Sequence, residues 1–246
     1  MIEASDLAKD FNGVQAVRHV SFSAPDGRIT GLLGPNGAGK TTTLRMIATL
    51  VRPTRGWAKV DGIDVAAEPL AVRARIGVLS DARGLYARLT ARENIAYYGA
   101  LRGLDPAAVD KSIDKYGDLL DMKPLLGRRT DGFSQGERMK VAIARALIHE
   151  PRNVILDEPT NGLDVMTTRS LRELIRRLRE EGKCVVFSSH IMQEVSALCD
   201  DIVIISHGRV VAQGDAPALL KLSGKSTLEE AFIALVGEEE NPLKAA

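Results

Sequence analysis

The sequence predicts an α/β fold built on a mostly parallel sheet, and three observations carry that reading. Short apolar runs alternate with stretches of helical periodicity, the pattern of strands joined by crossover helices. One run leads directly into a glycine-rich loop that opens a helical stretch. Another ends in two adjacent carboxylates and a proline, which stops the strand at a sheet edge.

The strand candidates in chain order are residues 29–33, 154–156, 184–187 and 202–205. Between about Asp81 and Glu150 strand signals give way to helical ones. Thr90-Ala91-Arg92-Glu93 reads as a capping box opening a helix with Ile95, Tyr98 and Leu101, and Ser134-Gln135-Gly136-Glu137 reads as a second. This is the pattern of a helical insertion in an α/β core. After Asp164, Leu171, Leu174, Ile175 and Leu178 repeat at helical spacing, and Gly182 stands where a C-terminal cap belongs. The arginines of that helix, Arg172, Arg176, Arg177 and Arg179, are read as its solvated side rather than as a nucleic-acid face. From Ala216 the pattern is helical again, ending in the acidic run Glu238-Glu239-Glu240, which is expected to fray.

Composition narrows the function classes. Of 246 residues 45% are hydrophobic, and 33 basic side chains face 32 acidic ones for a formal charge of +1. A chain of this size buries a core without staples. Its near-neutral balance argues against holding nucleic acid by bulk electrostatics. The longest run without Asp, Glu, Lys or Arg is residues 29–39, well short of the roughly 20 apolar residues a spanning helix needs. The N-terminus lacks the basic and apolar regions of a signal peptide, and Cys184 and Cys199 make no disulfide framework. The expectation is a cytosolic protein.

Gly34-Pro35-Asn36-Gly37-Ala38-Gly39-Lys40-Thr41 fits G-x-x-x-x-G-K-[ST], placed after the strand 29–33 and before the helical stretch 42–50 that begins at Thr42. The glycines let backbone N–H groups turn inward around phosphate oxygens, and the helix N-terminus adds the positive end of its dipole. Lys40 is placed to reach the β and γ phosphates, and Thr41 to offer its hydroxyl to Mg²⁺. The strand 154–156 ends in Asp157-Glu158. Asp157 suits a second anchor for Mg²⁺, and Glu158, facing the other way, suits polarisation of an attacking water. Beyond the strand 184–187, Ser188-Ser189-His190 puts a histidine at the edge where ligands of open α/β sheets bind. His19, His149 and His207 lack that setting and are read as structural.

A rival class is also visible. Gly132-Phe133-Ser134-Gln135-Gly136 matches the G-x-S-x-G elbow of serine hydrolases, with Asp164 and His190 following in a workable order. An elbow needs a buried strand just before the serine, whereas residues 127–132 are polar. A serine at a helix N-cap followed by glycine is suited instead to aiming N–H groups and a hydroxyl at a phosphate.

Taken together these residues resemble the ATP-binding-cassette (ABC) ATPases over about residues 1–236. Phe133-Ser134-Gln135-Gly136-Glu137 resembles that family's signature, usually Leu-Ser-Gly-Gly-Gln, and Asn161-Gly162-Leu163-Asp164 resembles its D-loop. The resemblance implies a P-loop NTPase (RecA-like) core with a mostly parallel sheet, an N-terminal antiparallel β portion and a helical subdomain insertion. It implies one domain over 1–236: core at 1–80 and 150–215, helical subdomain with the signature at 81–149, helical extension at 216–236, and an acidic flexible tail at 237–246. It makes His190 the switch histidine at the γ phosphate and Phe11 the aromatic that stacks on adenine. Residues 84–94 and the tail Ser226-Thr227-Leu228-Glu229-Glu230-Ala231-Phe232 resemble ATPase subunits of ABC-2 exporters, the sodium-efflux branch and the drug or polysaccharide exporters being nearest.

In this family the signature Ser134 and Gly136 complete the site of a second subunit, so the resemblance implies a head-to-tail dimer, taken as one of identical chains, with two ATP at the interface. It also implies a separate integral-membrane permease, no nucleic acid, and a cytoplasmic location at the inner face of the cell membrane. Two departures stand out. Ser80-Asp81-Ala82 occupies the place of the Q-loop glutamine, which makes Asp81 its nearest equivalent and a third candidate for Mg²⁺, able to accept but not to donate as an amide does. Gln135 stands where the usual signature is glycine. Superfamily members with a long coiled coil are set aside because Lys40 to Ser134 is too short and shows no sustained heptads. A soluble regulatory ATPase not coupled to transport is the alternative.

Overall fold

A computed structural model describes residues 1–80 and 84–240, the last three as backbone only. Strand β1 (Ile2–Phe11) turns into β2 (Val14–Ala24). Asn12 and Gly13 form that turn with φ of 52° and 91°, both left-handed, as a two-residue hairpin of matching twist requires. β4 (Arg55–Val60) lies antiparallel on the other side of β1, and Asp61-Gly62 turns it into β5 (Ile63–Asp64). These four strands make the antiparallel N-terminal portion.

The parallel portion contains β3 (Ile29–Leu33), β6 (Ile76–Leu79), β7 (Asn153–Asp157), β8 (Cys184–Ser189) and β9 (Asp201–Ser206). β10 (Arg209–Gly214) returns antiparallel to β9 through His207-Gly208 and touches β2 at Arg209–His19, joining the two portions. The ten strands among the described residues run in the order β5-β4-β1-β2-β10-β9-β3-β8-β7-β6. β3 thus sits between β8 and β9, and its C-terminal end faces those of β7 and β8.

Strand periodicity divides the core. Because successive side chains point to opposite faces, Ile29, Leu33, Val154, Leu156, Val185, Phe187, Ile202 and Ile204 enter one apolar cluster. Leu32, Ile155, Val186, Val203 and Ile205 enter the other, together with residues of the antiparallel portion. The second cluster receives α1 (Lys40–Ile47) and the short α2 (Pro69–Arg73). The first receives α3 (Ala91–Leu101), α4 (Pro106–Leu119), α5 (Gln135–Leu147), α6 (Val165–Glu180) and α7 (Met192–Leu198). α8 (Ala216–Ser223) and α9 (Leu228–Glu240) close over it through Leu219, Leu228 and Leu235.

Local signals decide the helix ends. Thr90 and Ser134 both form complete capping boxes, with Glu93 and Glu137 as the returning carboxylates. In each box the backbone N–H at the cap holds the glutamate below the usual carboxylate range. Asp164 caps α6, whose stripe of Leu171, Leu174, Ile175 and Leu178 is fully buried. Gly182 follows that helix at φ 77°. Two boundaries differ from the sequence reading. The helix expected over 42–50 spans Lys40 to Ile47, because the glycine-rich loop ends at Gly39 and Thr49 takes a left-handed φ of 62°. α9 continues to Glu240, beyond position 236.

Candidate functional site

The site lies at the C-terminal edge of the parallel strands, and the loop from Gly34 to Gly39 forms its floor. Gly34 passes so close to β9 that a Cβ there would stand 2.2 Å from the Ile205 carbonyl oxygen. Gly39 takes φ 103°, and a Cβ on it would stand 2.7 Å from the Ala16 carbonyl oxygen. Ala38 accepts a hydrogen bond from the Gly208 N–H at 2.9 Å, so the β9–β10 turn braces the loop. Gly39 is the N-cap of α1 and no side chain caps the first turn, which leaves that turn's N–H groups to an anion.

Strand register assembles the rest. Asp157 lies opposite Ser188, and Leu33 opposite Ser189. The Ser188 hydroxyl donates to Asp157 Oδ1 at 2.6 Å, and the Thr41 hydroxyl donates to the same oxygen at 3.1 Å. Asp157 is only 3% exposed, so these two hydroxyls hold a buried carboxylate. Thr41 and Asp157 present two hard oxygen donors side by side, a set that fits Mg²⁺, which takes few protein ligands and completes its shell with phosphate and water.

Glu158 is the next residue and has a left-handed φ of 47°, a conformation that costs a non-glycine residue on the order of 1 kcal/mol. Its backbone N–H donates to the Ser188 hydroxyl at 2.9 Å. Its carboxylate lies 3.4 Å from Lys40 Nζ and 2.7 Å from His190 Nδ1. An ionised carboxylate only accepts, so in this contact Nδ1 carries the proton. Lys40, 5% exposed, also donates to the carbonyls of Gly34 at 2.6 Å and Pro35 at 3.1 Å. The lysine thus ties the loop's first turn to the strand-end acid.

A cavity of about 390 Å³ unites these groups. Pro35 to Thr42 line it together with Asp157, Glu158, His190, Ala16 and Asn161. That volume is in the range of small-molecule sites. Of the residues singled out in the sequence, Ser134, Gly136 and Phe11 are not among its walls. Phe11 ends β1 at the hairpin tip, 45% exposed with Lys9 Nζ 5.0 Å over its ring, so it is not a core residue. Ser134 is exposed at the N-cap of α5, preceded by a 3-10 turn over Thr130–Gly132. No strand leads into it, so the hydrolase elbow is absent. Asp81 lies outside the described residues.

Three contributors escaped the sequence reading. Ser188 is legible only as a polar residue beside a histidine. Asn161 belongs to the segment that resembles the D-loop, but its place in the cavity wall follows from the fold. Glu194 on α7 is 4% exposed and accepts from Thr160 Oγ1 at 2.5 Å and Ser189 Oγ at 3.1 Å, with an Arg172 nitrogen 3.8 Å away. It joins the segment after Glu158 to the segment before His190.

A phosphate loop between strand and helix, facing a strand-end acid pair, defines a P-loop nucleotide triphosphatase. Comparison with known proteins narrows the class. The family described as "ABC transporter" matches residues 17–161. The chain is 44% identical over 239 residues to the ABC transporter ATP-binding protein NatA of Bacillus subtilis, covering 95% of this chain and 97% of that one. It is 37% identical to the daunorubicin/doxorubicin resistance ATP-binding protein DrrA of Streptomyces peucetius, over 92% of this chain and 69% of the relative. Among solved structures, an ATP-binding subunit of an ABC transporter superposes with a TM-score of 0.88 at 29% identity, covering 96% of this chain and 99% of the other. A dimeric ATP-binding cassette in a post-hydrolysis state with ADP and phosphate gives 0.79 at 25% identity, covering 87% and 98%. The chain belongs to the ABC transporter family and is an ATP-binding, ATP-hydrolysing subunit. No helix among the described residues is long and apolar enough to cross a membrane.

Proposed function

We propose that the chain hydrolyses ATP as one half of a head-to-tail pair and drives an ABC-2 type exporter through a separate integral-membrane subunit, working at the inner face of the cell membrane. The observation that carries the chemistry is that Lys40 and His190 both contact the Glu158 carboxylate in the cavity that the Thr41–Asp157 pair also lines. The exporter reading is supported by relatives named for daunorubicin/doxorubicin and linearmycin resistance and for bacitracin transport.

The loop N–H groups and Lys40 bind the triphosphate of ATP, and its arrival offers the lysine a stronger partner than Glu158. Thr41 and Asp157 would hold Mg²⁺, which supplies charge neutralisation at the phosphates when bound. Glu158, freed to accept, orients the attacking water and takes its proton, while His190 fixes the carboxylate through Nδ1. Phe11, exposed at the tip of the β1–β2 hairpin, is the aromatic assigned to stack on the base. Ser134 and Gly136, placed away from the chain's own cavity, close the site of the opposite chain. ATP binding closes the pair and hydrolysis releases it.

The test is Glu158→Gln. The amide keeps the shape but loses the proton acceptor, so the variant is expected to bind ATP as the wild type does, to form a stable dimer with it, and to hydrolyse at least about 100-fold more slowly. Phosphate release and light scattering after gel filtration measure both. Rapid steady turnover by this variant counts against the assignment. Co-purification with an integral-membrane protein from detergent-solubilised membranes tests the partner.

A further inference from the structure

We infer that Gln135 is a positioning residue that ties the serine-bearing end of α5 to the chain's own nucleotide cavity, so that the site each chain completes in its neighbour is held in register with its own. This rests on the two-chain site proposed above. Gln135 stands at the position where the resemblance expects glycine, and its long side chain turns back onto its own chain. Nε2 donates to the Asn161 carbonyl at 3.1 Å. Asn161 lines the nucleotide cavity, and its N–H donates to the Glu158 carbonyl at 3.3 Å. A single side chain therefore leads from the residue after Ser134 to the backbone of the proposed catalytic acid.

The contact is close on both sides. Gly162, at φ 72°, packs so tightly that a Cβ there would stand 2.5 Å from Gln135 Nε2. One residue on, a Cβ at Gly136 would stand 2.9 Å from Thr167 Oγ1, and that hydroxyl donates to Asp164 Oδ2 at 2.7 Å. The N-terminus of α5 is thus seated on the 161–167 segment at two points, one polar and specific, one steric. Since Gln135 is itself exposed, its hydrogen bond serves position more than stability. The Ser134 hydroxyl accepts from the Glu137 N–H and keeps its own proton to donate, so with the Gln135 amide spent inside the chain that O–H and the first-turn N–H groups of Gln135 and Gly136 can serve a phosphate. A movement of Asn161 with nucleotide then carries Ser134 with it, which links occupancy of one site to completion of the other.

The test compares Gln135→Glu, which sets a carboxylate against the Asn161 carbonyl, with Gln135→Lys, which keeps an N–H donor on a side chain of similar reach. Full-length protein with Mg²⁺ and ATP is used for steady-state hydrolysis, and a fluorescent ATP analogue for equilibrium binding. Wild type is expected to hydrolyse with a Hill slope above 1. Gln135→Glu should bring the slope to about 1 and lower kcat about fivefold or more, with analogue affinity within about twofold and an unchanged melting temperature. Gln135→Lys should restore slope and kcat. A wild-type slope of 1, a Gln135→Glu slope equal to wild type, a loss of analogue binding by that variant, or a lysine variant as impaired as the glutamate one would each overturn the inference. Fast turnover by Glu158→Gln would instead overturn the site reading; a silent Glu158→Gln beside a cooperative Gln135→Glu sinks only the role of Gln135.

Discussion

Burying a carboxylate costs several kcal/mol unless its oxygens are hydrogen-bonded, and Glu194 shows what that compensation does here. Both of its donors come from segments that carry the proposed chemistry, Thr160 two residues after Glu158 and Ser189 just before His190. Arg172 adds charge at 3.8 Å. The side chain thus fixes the separation of two segments whose tips meet at 2.7 Å. Glu194→Ala is expected to lower kcat about tenfold or more with ATP affinity within about threefold, and to cost about 1–3 kcal/mol of stability through the hydroxyls left unpaired. Glu194→Gln keeps an acceptor for both hydroxyls and should recover most of the turnover. Steady-state kinetics with thermal melting measure the pair; equal losses in both variants would show that charge, not hydrogen bonding, matters. Lys40, Thr41, Asp157, Glu158 and His190 are legible because each belongs to a short local motif, at the start of α1 or just at the end of β7 or β8. Glu194 was not, since nothing in its own segment indicates that α7 packs against the neighbouring loops.

At the scale of elements, the hairpin turns show how one backbone geometry serves different ends. Asp61-Gly62 and His207-Gly208 both place two residues at positive φ, 51° and 80° in the first, 46° and 77° in the second. Around Gly62 nothing stands within 4 Å of a would-be Cβ, whereas Gly208 would meet Arg18 N at 3.0 Å and the Val17 Cα at 3.1 Å. Gly208 also donates to Ala38 in the phosphate loop and accepts from the N–H groups of Arg18 and His19. Gly62→Ala should cost about 1 kcal/mol of backbone strain and leave ATP affinity unchanged. Gly208→Ala carries the same strain plus tight contacts with backbone that must shift by a few tenths of an ångström, and is expected to weaken ATP binding about tenfold as β10 moves off the loop. Calorimetric titration and melting of both variants decide this; equal ATP affinity in the two would remove the bracing role. The strands 29–33, 154–156, 184–187 and 202–205 and the helix after Asp164 were readable because burial on both sheet faces, or on one helical stripe, writes a local pattern. The antiparallel portion left no such run. Only residues 20–24 of β2 alternate buried apolar side chains with serines, and the Asn12-Gly13 turn that links β2 to β1 is the one local signal of the hairpin.

The whole molecule depends on faces closing over the sheet, and one half-buried histidine reports on that closure. His149 follows α5 and its Nε2 donates to the Ile76 carbonyl at 3.0 Å, while its Nδ1 is buried without a hydrogen-bond partner. Burial first, then the nearby Arg102 and Lys183 cations, push its pKa down to about 4, with the Ile76 bond and Glu150 opposing. In the unfolded chain it titrates near the ordinary value of about 6.5. Between those values the unfolded state binds the extra proton, so stability should fall as pH drops from about 6.5 toward 4. His149→Gln keeps a donor for Ile76 without titrating and should lose less stability over the same interval in urea unfolding at pH 7.5, 6 and 4.5; an identical pH profile would assign acid sensitivity elsewhere. The sequence by itself determined the class of fold, the phosphate loop and the strand-end acids, because hydrophobic periodicity and short motifs act over a few residues. Only the tertiary structure decided that ten strands among the described residues share one sheet, that Phe11 stands exposed at a hairpin tip, that Glu194 joins two loops, and that Gln135 turns back onto Asn161. These depend on contacts between residues far apart in the chain, where distance and direction come from packing and register, and no local pattern records them.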